Sequence, residues 1–509
     1  MLLELRMAAS ITTAATISTS APARLTFAQM LRLSALWIGL EFFWASQQMI
    51  VLPKRVEYFV PDAHYASYYA LIKAAGAIVV ICTQLTIGFL SDHAESRVGK
   101  RRPFIMRGVF WGCAAIALFV LSPNYWMLFC AYLILEFFVN SASVPFQSLL
   151  PDLVPEKQLG RAGAIMSSYH LSGNLVGILV MVGLAFLFGD RQLAYMGTQL
   201  PMGFAVLLLP MYIAMLIGTM LVVYYGIDEH GWAQGAKTRV EGAVMEIRAL
   251  TGVVIRFART APTLLGCMIH DYKQVGIRSR PNLAWLALSR FVIFIGYQTF
   301  LSYAFVYVEH NLNREAWLAS LGVAADVIPK VLDAAAPAVL GLFILGGLVG
   351  ALCSRWLQDR FGKKNTIIVG MLLAGLMVAP LIVTSSVWVA VGCGIIMGAG
   401  WGMFLAADWA FACTLMPKDK AGSYMGMWDV TTLMPQFAAL ILAAPIRDGI
   451  FGAQLPRLTA RLGEAAGNNA AWALANQWLF ATIIVYFLVG LWLLRRVHEE
   501  LRPGYEQQP

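Results

Sequence analysis

The sequence predicts an all-α membrane protein whose twelve transmembrane helices form two six-helix bundles. Of the 509 residues, 59% are hydrophobic and 13% are charged, and the mean hydropathy is +0.68. A soluble domain cannot bury that much apolar surface. Apolar stretches of about 20 residues, long enough to cross a bilayer core, recur along the chain. A charged pattern that occurs once in each half indicates that one bundle is repeated.

Twelve apolar stretches are the candidate spans, and we number them 1 to 12 in chain order. Their predicted limits are 30–52, 65–91, 103–122, 125–149, 163–188, 202–225, 283–307, 338–353, 365–386, 388–416, 422–445 and 471–494. The domains that follow are a disordered cytoplasmic tail at 1–29, an N-terminal bundle at 30–225, a cytoplasmic linker at 226–282, a C-terminal bundle at 283–494 and a cytoplasmic tail at 495–509. We expect residues 447–471 to form a long outer loop.

The basic excess of the chain, a formal net charge of +9, is unevenly placed. With the N-terminus inside, most Lys and Arg residues fall on the cytoplasmic side of the spans, in agreement with the positive-inside rule. The charge therefore orients a multi-pass protein in the cell inner (cytoplasmic) membrane, with both termini cytoplasmic, and calls for no nucleic acid partner. The seven cysteines include no CxxC pair, so we expect neither a disulfide framework nor a metal site.

Two charged loops occupy matching places in the two halves. The first charged loop, 91–105, reads SDHAESRVGKRRPFI between spans 2 and 3, and the second, 354–365, reads SRWLQDRFGKKN between spans 8 and 9. Glycine permits a sharp turn, the cations face the anionic inner leaflet, and the Asp can pair at a helix end. The repetition favours gating over a generic basic loop. The candidate gating residues are Asp92, Gly99, Lys100, Arg101, Arg102, Asp359, Gly362, Lys363 and Lys364.

The first charged loop resembles a motif of the major facilitator superfamily, in the longer form found in the glycoside–pentoside–hexuronide cation symporters and the sucrose–proton symporters. Three other stretches are similar to that branch: GLEFFWASQQMIVLP at 39–53, NSASVPFQSLLPDLVPEKQLGRAGAIMSS at 140–168 and AADWAFACTLMPKDKAGSYMGMWDVTTLMPQ at 406–436. The resemblance implies the twelve-helix facilitator fold and symport of a sugar or glycoside with a proton by alternating access. Sodium coupling is less expected, because the paired span-2 aspartates of the sodium-using relatives are absent.

Ionisable residues deep in spans are the candidates for proton coupling, because each is costly in hydrocarbon unless it faces a polar interior. Glu41 on span 1 and Glu136 on span 4 both lie roughly 18 Å from the outer ends of their spans, at about 1.5 Å per residue. Lys73 on span 2 is within reach of either acid. We expect one acid to bind the coupled proton; the alternative is a structural ion pair that joins spans 1, 2 and 4.

The resemblance implies a role for Glu136, and at Gln147 the chain differs from the family pattern. Glu136 aligns with the acidic residue on which proton coupling depends in the sucrose symporters. Gln147 stands where the plant-type relatives carry an Arg, so their acid–arginine coupling is in doubt here.

Other polar residues inside spans have two interpretations each. Arg290 and Asp408 are a predicted gating pair, with snorkelling to the interface as the alternative, and we expect Asp429 to snorkel. His170 is expected to form a packing pair with Asn174, and the alternative is a second proton carrier.

Sugar binding calls for aromatic faces together with amide and hydroxyl groups. The candidate substrate-binding residues are Trp44, Gln47, Asn140, Gln147, Gln298, Trp409, Trp428 and Gln436, with Gln48 and Tyr303 in addition.

Two other functions stay open at this point. One is a facilitator-fold assembly factor of the bacteriochlorophyll-delivery type, and the other is a proton-coupled exporter of amphipathic compounds. The chain has no GxxxxGK[ST] loop, HExxH motif or nucleophile elbow, so we expect no ATP-driven or enzymatic activity and no cofactor. The expected partners are a small-molecule substrate, protons and the lipid bilayer, and the expected state is a monomer.

Overall fold

The computed structural model describes residues 24–94, 99–188, 192–195, 198–201, 207–227, 280–323, 335–416 and 420–498. These residues are helical apart from short connections and one antiparallel hairpin between spans 5 and 6, in which Gln192–Tyr195 pairs with Thr198–Pro201. The predicted all-α membrane fold is confirmed, with the hairpin as an addition. Most of the predicted tails and linker lie outside the described residues.

Spans 2 to 12 each correspond to one long helix. Their bounds are Asp62–Asp92, Arg102–Val120, Tyr125–Leu153, Leu159–Phe188, Leu209–Gly226, Pro281–Asn311, Ala335–Phe361, Lys363–Val383, Val387–Leu415, Ala421–Leu462 and Glu464–Leu494. All 11 are long and apolar enough to cross a membrane. Within a bilayer the backbone must satisfy its own hydrogen bonds, so an apolar stretch of this length folds as a helix.

Span 1 is built from shorter segments and brings the spans to the twelve that were predicted. It comprises Phe27–Ser34, Leu36–Ser46, a π-helical turn at Gln47–Val51, and Leu52–Phe59. A capping box between Thr26 and Gln29 starts the first segment. A π-helical turn inside a helix often marks a functional position, and this one follows Glu41 by less than two turns.

The prediction of a long loop at 447–471 is wrong. The helix of span 11 continues through this region as Ala421–Leu462, and the helix of span 12 begins at Glu464. Gly463 makes the turn between them with a φ of 85°. The region is rich in Ala, Leu and Arg, which favour helix in water as well as in lipid. The loss of hydrophobicity marks the end of the predicted span and not the end of the helix.

The two bundles meet through paired spans. Span 2 packs against span 11, and span 5 packs against spans 8 and 10. Both charged loops lie on one side of the membrane, which we call the charged-loop side. Near this side a Cβ atom added to Gly88 would lie 2.5 Å from the carbonyl oxygen of Gly422, so the backbones of spans 2 and 11 are in contact there.

Candidate functional site

Asp92, at the end of span 2, reaches the start of span 11 in the opposite bundle. Its carboxylate accepts the backbone N–H groups of Gly422 at 2.8 Å and Ser423 at 2.6 Å, and the Ser423 hydroxyl at 2.7 Å. The first N–H groups of a helix lack partners within the helix, and its dipole favours an anion at that end. Asp92 therefore caps a helix of the other half. We call this arrangement the 2–11 contact.

Arg101 holds Asp92 in place and joins it to span 4. Its guanidinium donates to Asp92 at 2.7 Å, to the hydroxyl of Ser91 at 2.6 Å and to Asp152 at 2.8 Å. The side chains of Arg101 and Asp92 are 0% and 1% exposed. Hydrogen bonds between charged groups that are shielded from water are the strong ones, so this cluster stabilises closure of the charged-loop side.

The other candidates of the first charged loop surround this cluster. The Lys100 ammonium lies 3.9 Å from Asp92, and Gly99 takes a φ of 113° in the turn. The Arg102 guanidinium lies over the ring of Tyr224, 5.4 Å from its centroid.

In the second charged loop the aspartate, Asp359, does not join the two bundles. Asp359 is 61% exposed and lies 3.6 Å from Arg355 of its own helix. Gly362 turns the chain with a φ of 83°. The two lysines bind groups of their own bundle: Lys363 donates to Thr414 at 2.5 Å, and Lys364 donates to the carbonyls of Arg495 at 3.2 Å and Val497 at 2.6 Å. In this conformation Asp359 therefore does not lie between the bundles.

Gln358, and not Asp359, occupies the place that corresponds to Asp92. It is buried, and its side-chain oxygen lies 3.1 Å from the position of a Cβ atom on Gly160, in the first turn of span 5. Its amide nitrogen donates to Ser354 at 3.3 Å. Gly160 is the second residue of its helix, as Gly422 is in span 11. We call this neutral arrangement the 5–8 contact.

A second polar layer lies about two turns further into the membrane. We define the polar layer as Gln84 of span 2, Gln147 of span 4, Arg290 of span 7, Asp408 of span 10 and Asp429 of span 11; all five are buried. Asp429 accepts the side-chain amides of Gln147 at 2.7 Å and Gln84 at 3.4 Å, both from the opposite bundle. The expectation that Asp429 snorkels to the interface is therefore wrong, because its helix face turns toward the N-terminal bundle.

Arg290 is the cation of the polar layer. It forms the predicted ion pair with Asp408, and its guanidinium also donates to Thr432 at 2.7 Å. The rings of Phe294 and Trp428 both lie 4.5 Å from the guanidinium carbon. Arg290 is thus held by span 10 and span 11 and between two aromatic faces, and it does not reach the interface.

Glu136 lies deeper than the polar layer and is connected to it. Its carboxylate accepts the side-chain amide of Asn140 at 3.1 Å and hydrogen-bonds with the hydroxyl of Tyr132. The side-chain oxygen of Asn140 accepts Gln84 at 3.4 Å, so a chain of polar contacts runs from Glu136 to Asp429. Lys73 interacts electrostatically with Glu136, and its ammonium donates to Gln48 at 3.4 Å.

Glu41 has a different set of partners from Glu136. His170 lies 2.9 Å from one carboxylate oxygen, and Asn174 donates to the other at 2.7 Å. The rings of Trp37 and Trp409 pack on His170 with centroids 5.0 Å and 6.0 Å away. Since Trp409 belongs to span 10, this cluster also joins the bundles. Asn174 also donates to the backbone carbonyl of His170 at 3.2 Å, and the side chains of both residues contact Glu41.

The remaining substrate candidates are less closely grouped. Gln47 is fully buried in the π-helical turn, and neither atom of its side-chain amide has a hydrogen-bond partner among the described residues. Trp428 covers Arg290, while Trp44 packs on Phe43 with ring centroids 4.9 Å apart. Gln298 and Gln436 are half-buried.

Tyr303 stands apart from these groups. It lies under Arg447 near the far ends of spans 7 and 11, with its ring centroid 5.3 Å from the guanidinium carbon.

Several residues of these clusters were not among the sequence candidates, including Trp37, Gln84, Tyr132, Asp152 and Gln358. A spacing rule would have found two of them, because Trp37 and Tyr132 precede Glu41 and Glu136 by one helical turn and so share their faces. Gln84 is a lone amide in the apolar run of span 2, and nothing in the sequence says which face it occupies.

A sequence model described as the Major Facilitator Superfamily matches residues 25–440. The chain belongs to the Major Facilitator Superfamily. Members of this family are transporters and not enzymes, so the chain is assigned to multi-pass membrane transport. The superfamily has its twelve spans in two bundles, as this chain does.

Relatives within the superfamily share limited sequence with this chain. A sucrose transport protein of rice, SUT4 of Oryza sativa subsp. indica, is 27% identical over an alignment of 168 residues, and the match covers 27% of this chain and 26% of that protein. The isoprimeverose transporter of Lactiplantibacillus pentosus is 23% identical over 309 residues, 56% of this chain and 50% of that protein. The chain therefore aligns with about a quarter to a half of these relatives.

Solved structures of the superfamily match over nearly the whole chain. The fucose transporter FucP in its outward conformation has a TM-score of 0.56 at 14% identity, and the match covers 90% of this chain and 98% of FucP. The proton:xylose symporter XylE has a TM-score of 0.58 at 15% identity, with 93% and 96% covered. At these identities the matches establish the facilitator fold.

Proposed function

We propose that this facilitator carries a sugar or glycoside together with a proton by alternating access. The observation that carries the proposal is Glu136, a buried acid that hydrogen-bonds with Tyr132 and Asn140 and is connected through Gln84 to the interface between the bundles. A buried acid among polar groups can exchange a proton. Because its contacts continue to the second bundle, a change in its charge can alter the contacts between the bundles. The transporters of sucrose and isoprimeverose among the relatives support a sugar or glycoside as substrate.

The conformation described here is closed on the charged-loop side. The 2–11 contact and the polar layer both join the bundles there. Most of the Lys and Arg residues belong to this side, so the positive-inside rule makes it the cytoplasmic side, with both termini cytoplasmic in an inner membrane. The state is then closed to the cytoplasm. A monomer of two bundles joined by the linker 226–282 is sufficient for the cycle.

Glu136 is assigned as the site that binds the coupled proton. In its ionised form the carboxylate accepts the Asn140 amide and is balanced by Lys73. When it is protonated the negative charge is lost, and the Asn140 amide and Lys73 become available to substrate hydroxyls or to other partners. Binding of the proton and binding of the sugar are thereby linked through shared groups, which is the requirement for coupling.

The cluster of Glu41, His170, Trp37 and Trp409 is assigned to the substrate. Sugars place their apolar faces on aromatic rings and their hydroxyls on carboxylate, imidazole and amide groups. The cluster offers both kinds of surface at the junction of the bundles. Gln47 adds a buried amide with free donor and acceptor atoms, which a hydroxyl satisfies.

Uptake by vesicles reconstituted with the pure protein tests the proposal. A panel of radiolabelled disaccharides and glycosides is offered with and without an imposed pH gradient, acidic outside. We expect one class of sugar to accumulate only with the gradient, and a protonophore to abolish the accumulation. Uptake equal to that of empty vesicles for the whole panel would contradict sugar transport and favour the assembly-factor or exporter alternatives.

The Glu136→Gln variant tests whether Glu136 binds the coupled proton. Gln keeps the shape of the side chain but cannot ionise, so we expect gradient-driven accumulation to be lost while exchange of labelled for unlabelled sugar continues. Asp448→Asn, at an exposed acid near the far end of span 11, is the matched control and is expected to behave as the wild type. Unchanged pH dependence in Glu136→Gln would remove Glu136 from this role.

A further inference from the structure

Asp429 is a buried acid at the junction of the bundles that the coupling scheme above does not use. It lies on span 11, eight residues after the helix begins, which is about 12 Å into the membrane. Its exposed fraction is 9%. An acid at this depth is costly unless it serves the transport path or a partner holds it.

The contacts of Asp429 cross from one bundle to the other. One carboxylate oxygen accepts both the Gln147 amide at 2.7 Å and the Gln84 amide at 3.4 Å. Gln147 is also bound to Ser143 at 3.1 Å, and Gln84 to Asn140 at 3.4 Å, so both amides are anchored within the N-terminal bundle. Spans 2 and 4 of the N-terminal bundle therefore both donate to one carboxylate of the C-terminal bundle.

The charged groups around Asp429 are few among the described residues. Span 7 contributes Arg290, which interacts electrostatically with Asp429, and span 10 contributes Asp408, which is paired with Arg290. Spans 2 and 4 present the neutral amides of Gln84 and Gln147, and Glu136 and Lys73 follow deeper along the same spans. Arg290 is thus shared between two acids, and the Asp429 carboxylate is held by Arg290 of its own bundle together with the two amides of the other bundle.

We propose that Asp429 is a second proton-linked residue, whose ionisation closes the charged-loop side and whose protonation releases it. A carboxylate binds an N–H donor about twice as strongly as a neutral acceptor does. The ionised form therefore draws Gln84 and Gln147 toward span 11 and keeps the bundles together. The protonated form keeps only neutral hydrogen bonds, so the closed state loses stability relative to the open one.

The position of Asp429 makes this change directional. In the closed conformation the 2–11 contact separates Asp429 from the charged-loop side, while Gln84 and Asn140 connect it to Glu136, so in this proposal protons reach it from the opposite side of the membrane. Once the charged-loop side opens, the same carboxyl group faces the other compartment and releases its proton there. The ionised carboxylate then accepts the Gln84 and Gln147 amides again, and the charged-loop side closes. Each transition then requires a change in protonation.

The inference extends the proposed function, but its test does not depend on a sugar. Pairs of spin labels on the charged-loop ends of spans 2 and 11 report the distance between the bundles in purified protein. The distance is followed from mildly alkaline to mildly acidic pH without substrate. In the wild type we expect the distance between the two labels to lengthen as the pH falls. A wild-type distance that does not change with pH would overturn the proposal.

Three variants assign the titrating group. Asp429→Asn has the shape of the protonated acid, and we expect an open distance at every pH, with the closed-to-open ratio reduced about tenfold or more. Asp429→Glu keeps an ionisable group and is expected to keep a pH-dependent distance. The control Asp448→Asn, on the same helix but outside the polar layer, should match the wild type. Wild-type pH dependence in Asp429→Asn would overturn the proposal.

Gln147→Met provides a test that leaves the acid in place. It removes the closest N–H donor while nearly preserving side-chain length, so the ionised form loses stabilisation and opening is expected at higher pH. Glu136→Gln separates the two proton sites and is expected to keep the pH-dependent distance. If Glu136→Gln abolished that dependence, Asp429 would not be the group that titrates. Failure of sugar uptake with an intact response through Asp429 would refute the proposed function alone.

Discussion

The two charged loops share a sequence pattern and differ in what they hold. In the first, Asp92 is 1% exposed and caps the start of span 11 in the other bundle; in the second, Asp359 is 61% exposed and pairs within its own helix. The place of Asp92 is taken by Gln358, one residue earlier. A helix turns by about 100° per residue, so a shift of one position moves an acid from the interface to the solvent.

Because of this difference, the charged groups between the bundles lie at the 2–11 contact and not at the 5–8 contact. The 2–11 contact includes Asp92, which Arg101 holds together with Asp152, and the polar layer behind it adds Asp429. The 5–8 contact relies on the neutral amide of Gln358 against Gly160. We infer that the free energy of closure on the charged-loop side depends chiefly on spans 2 and 11, and that spans 5 and 8 act more as a pivot.

Asp92→Asn is expected to have the largest effect. It removes the charge that accepts Arg101, Gly422 and Ser423, and each hydrogen bond to a charged group contributes about 1.5–3 kcal/mol. The closed state should lose at least the contribution of one such bond. In the uptake assay we expect transport to fall by more than tenfold with protein abundance retained. Transport at the wild-type level would show that the 2–11 contact does not control the cycle.

Two glycine variants, one at the 2–11 contact and one at the 5–8 contact, compare how closely the bundles pack at each. Gly88→Ala would place a Cβ atom 2.5 Å from the backbone oxygen of Gly422, which cannot move away, and overpacking of this kind costs about 1–3 kcal/mol. Gly160→Ala would place one 3.1 Å from the flexible end of Gln358. We expect Gly88→Ala to impair transport and Gly160→Ala to leave most of it. The reverse order would contradict the proposed asymmetry.

Gln358→Glu introduces at the 5–8 contact a charge like that of Asp92. The carboxylate would face the first turn of span 5, where the helix dipole stabilises an anion by about 0.3–1 kcal/mol. We expect tighter closure and a few-fold slower exchange of labelled sugar. Faster exchange would mean that burial of the new charge outweighs its interaction with the helix.

Asp359→Asn is expected to have the smallest effect. Its partner Arg355 is one turn away on an exposed surface, and such pairs contribute less than about 1 kcal/mol. Uptake rate and thermal stability should stay within error of the wild type. A loss comparable to that of Asp92→Asn would mean that Asp359 bridges the bundles in another conformation.

The scaffold could be predicted because the bilayer allows few solutions. Apolar length alone located the twelve spans, and the repeated charged loops indicated two bundles. The continuation of span 11 to Leu462 could not be predicted in this way, since a helix that leaves the membrane is no longer marked by hydropathy.

The partners of the site residues could be predicted only in part. Sequence distance placed Glu41 and Glu136 at one depth, but helix rotation decides that Glu41 binds His170 while Glu136 binds Asn140. The pairing of Arg290 with Asp408 followed from their depth and opposite charge. For Asp429 the sequence predicts snorkelling to the membrane–water interface, because depth alone does not show that an acid faces the other bundle.

The most direct test of the asymmetric closure is hydrogen–deuterium exchange of the charged-loop ends of the spans. Peptides from the ends of spans 2 and 11 are compared with peptides from the ends of spans 5 and 8, in the wild type, Asp92→Asn and Asp359→Asn. We predict faster exchange at spans 2 and 11 in Asp92→Asn, a smaller change at spans 5 and 8, and no change in Asp359→Asn. Equal acceleration of both seams, or an equal effect of both variants, would contradict the account.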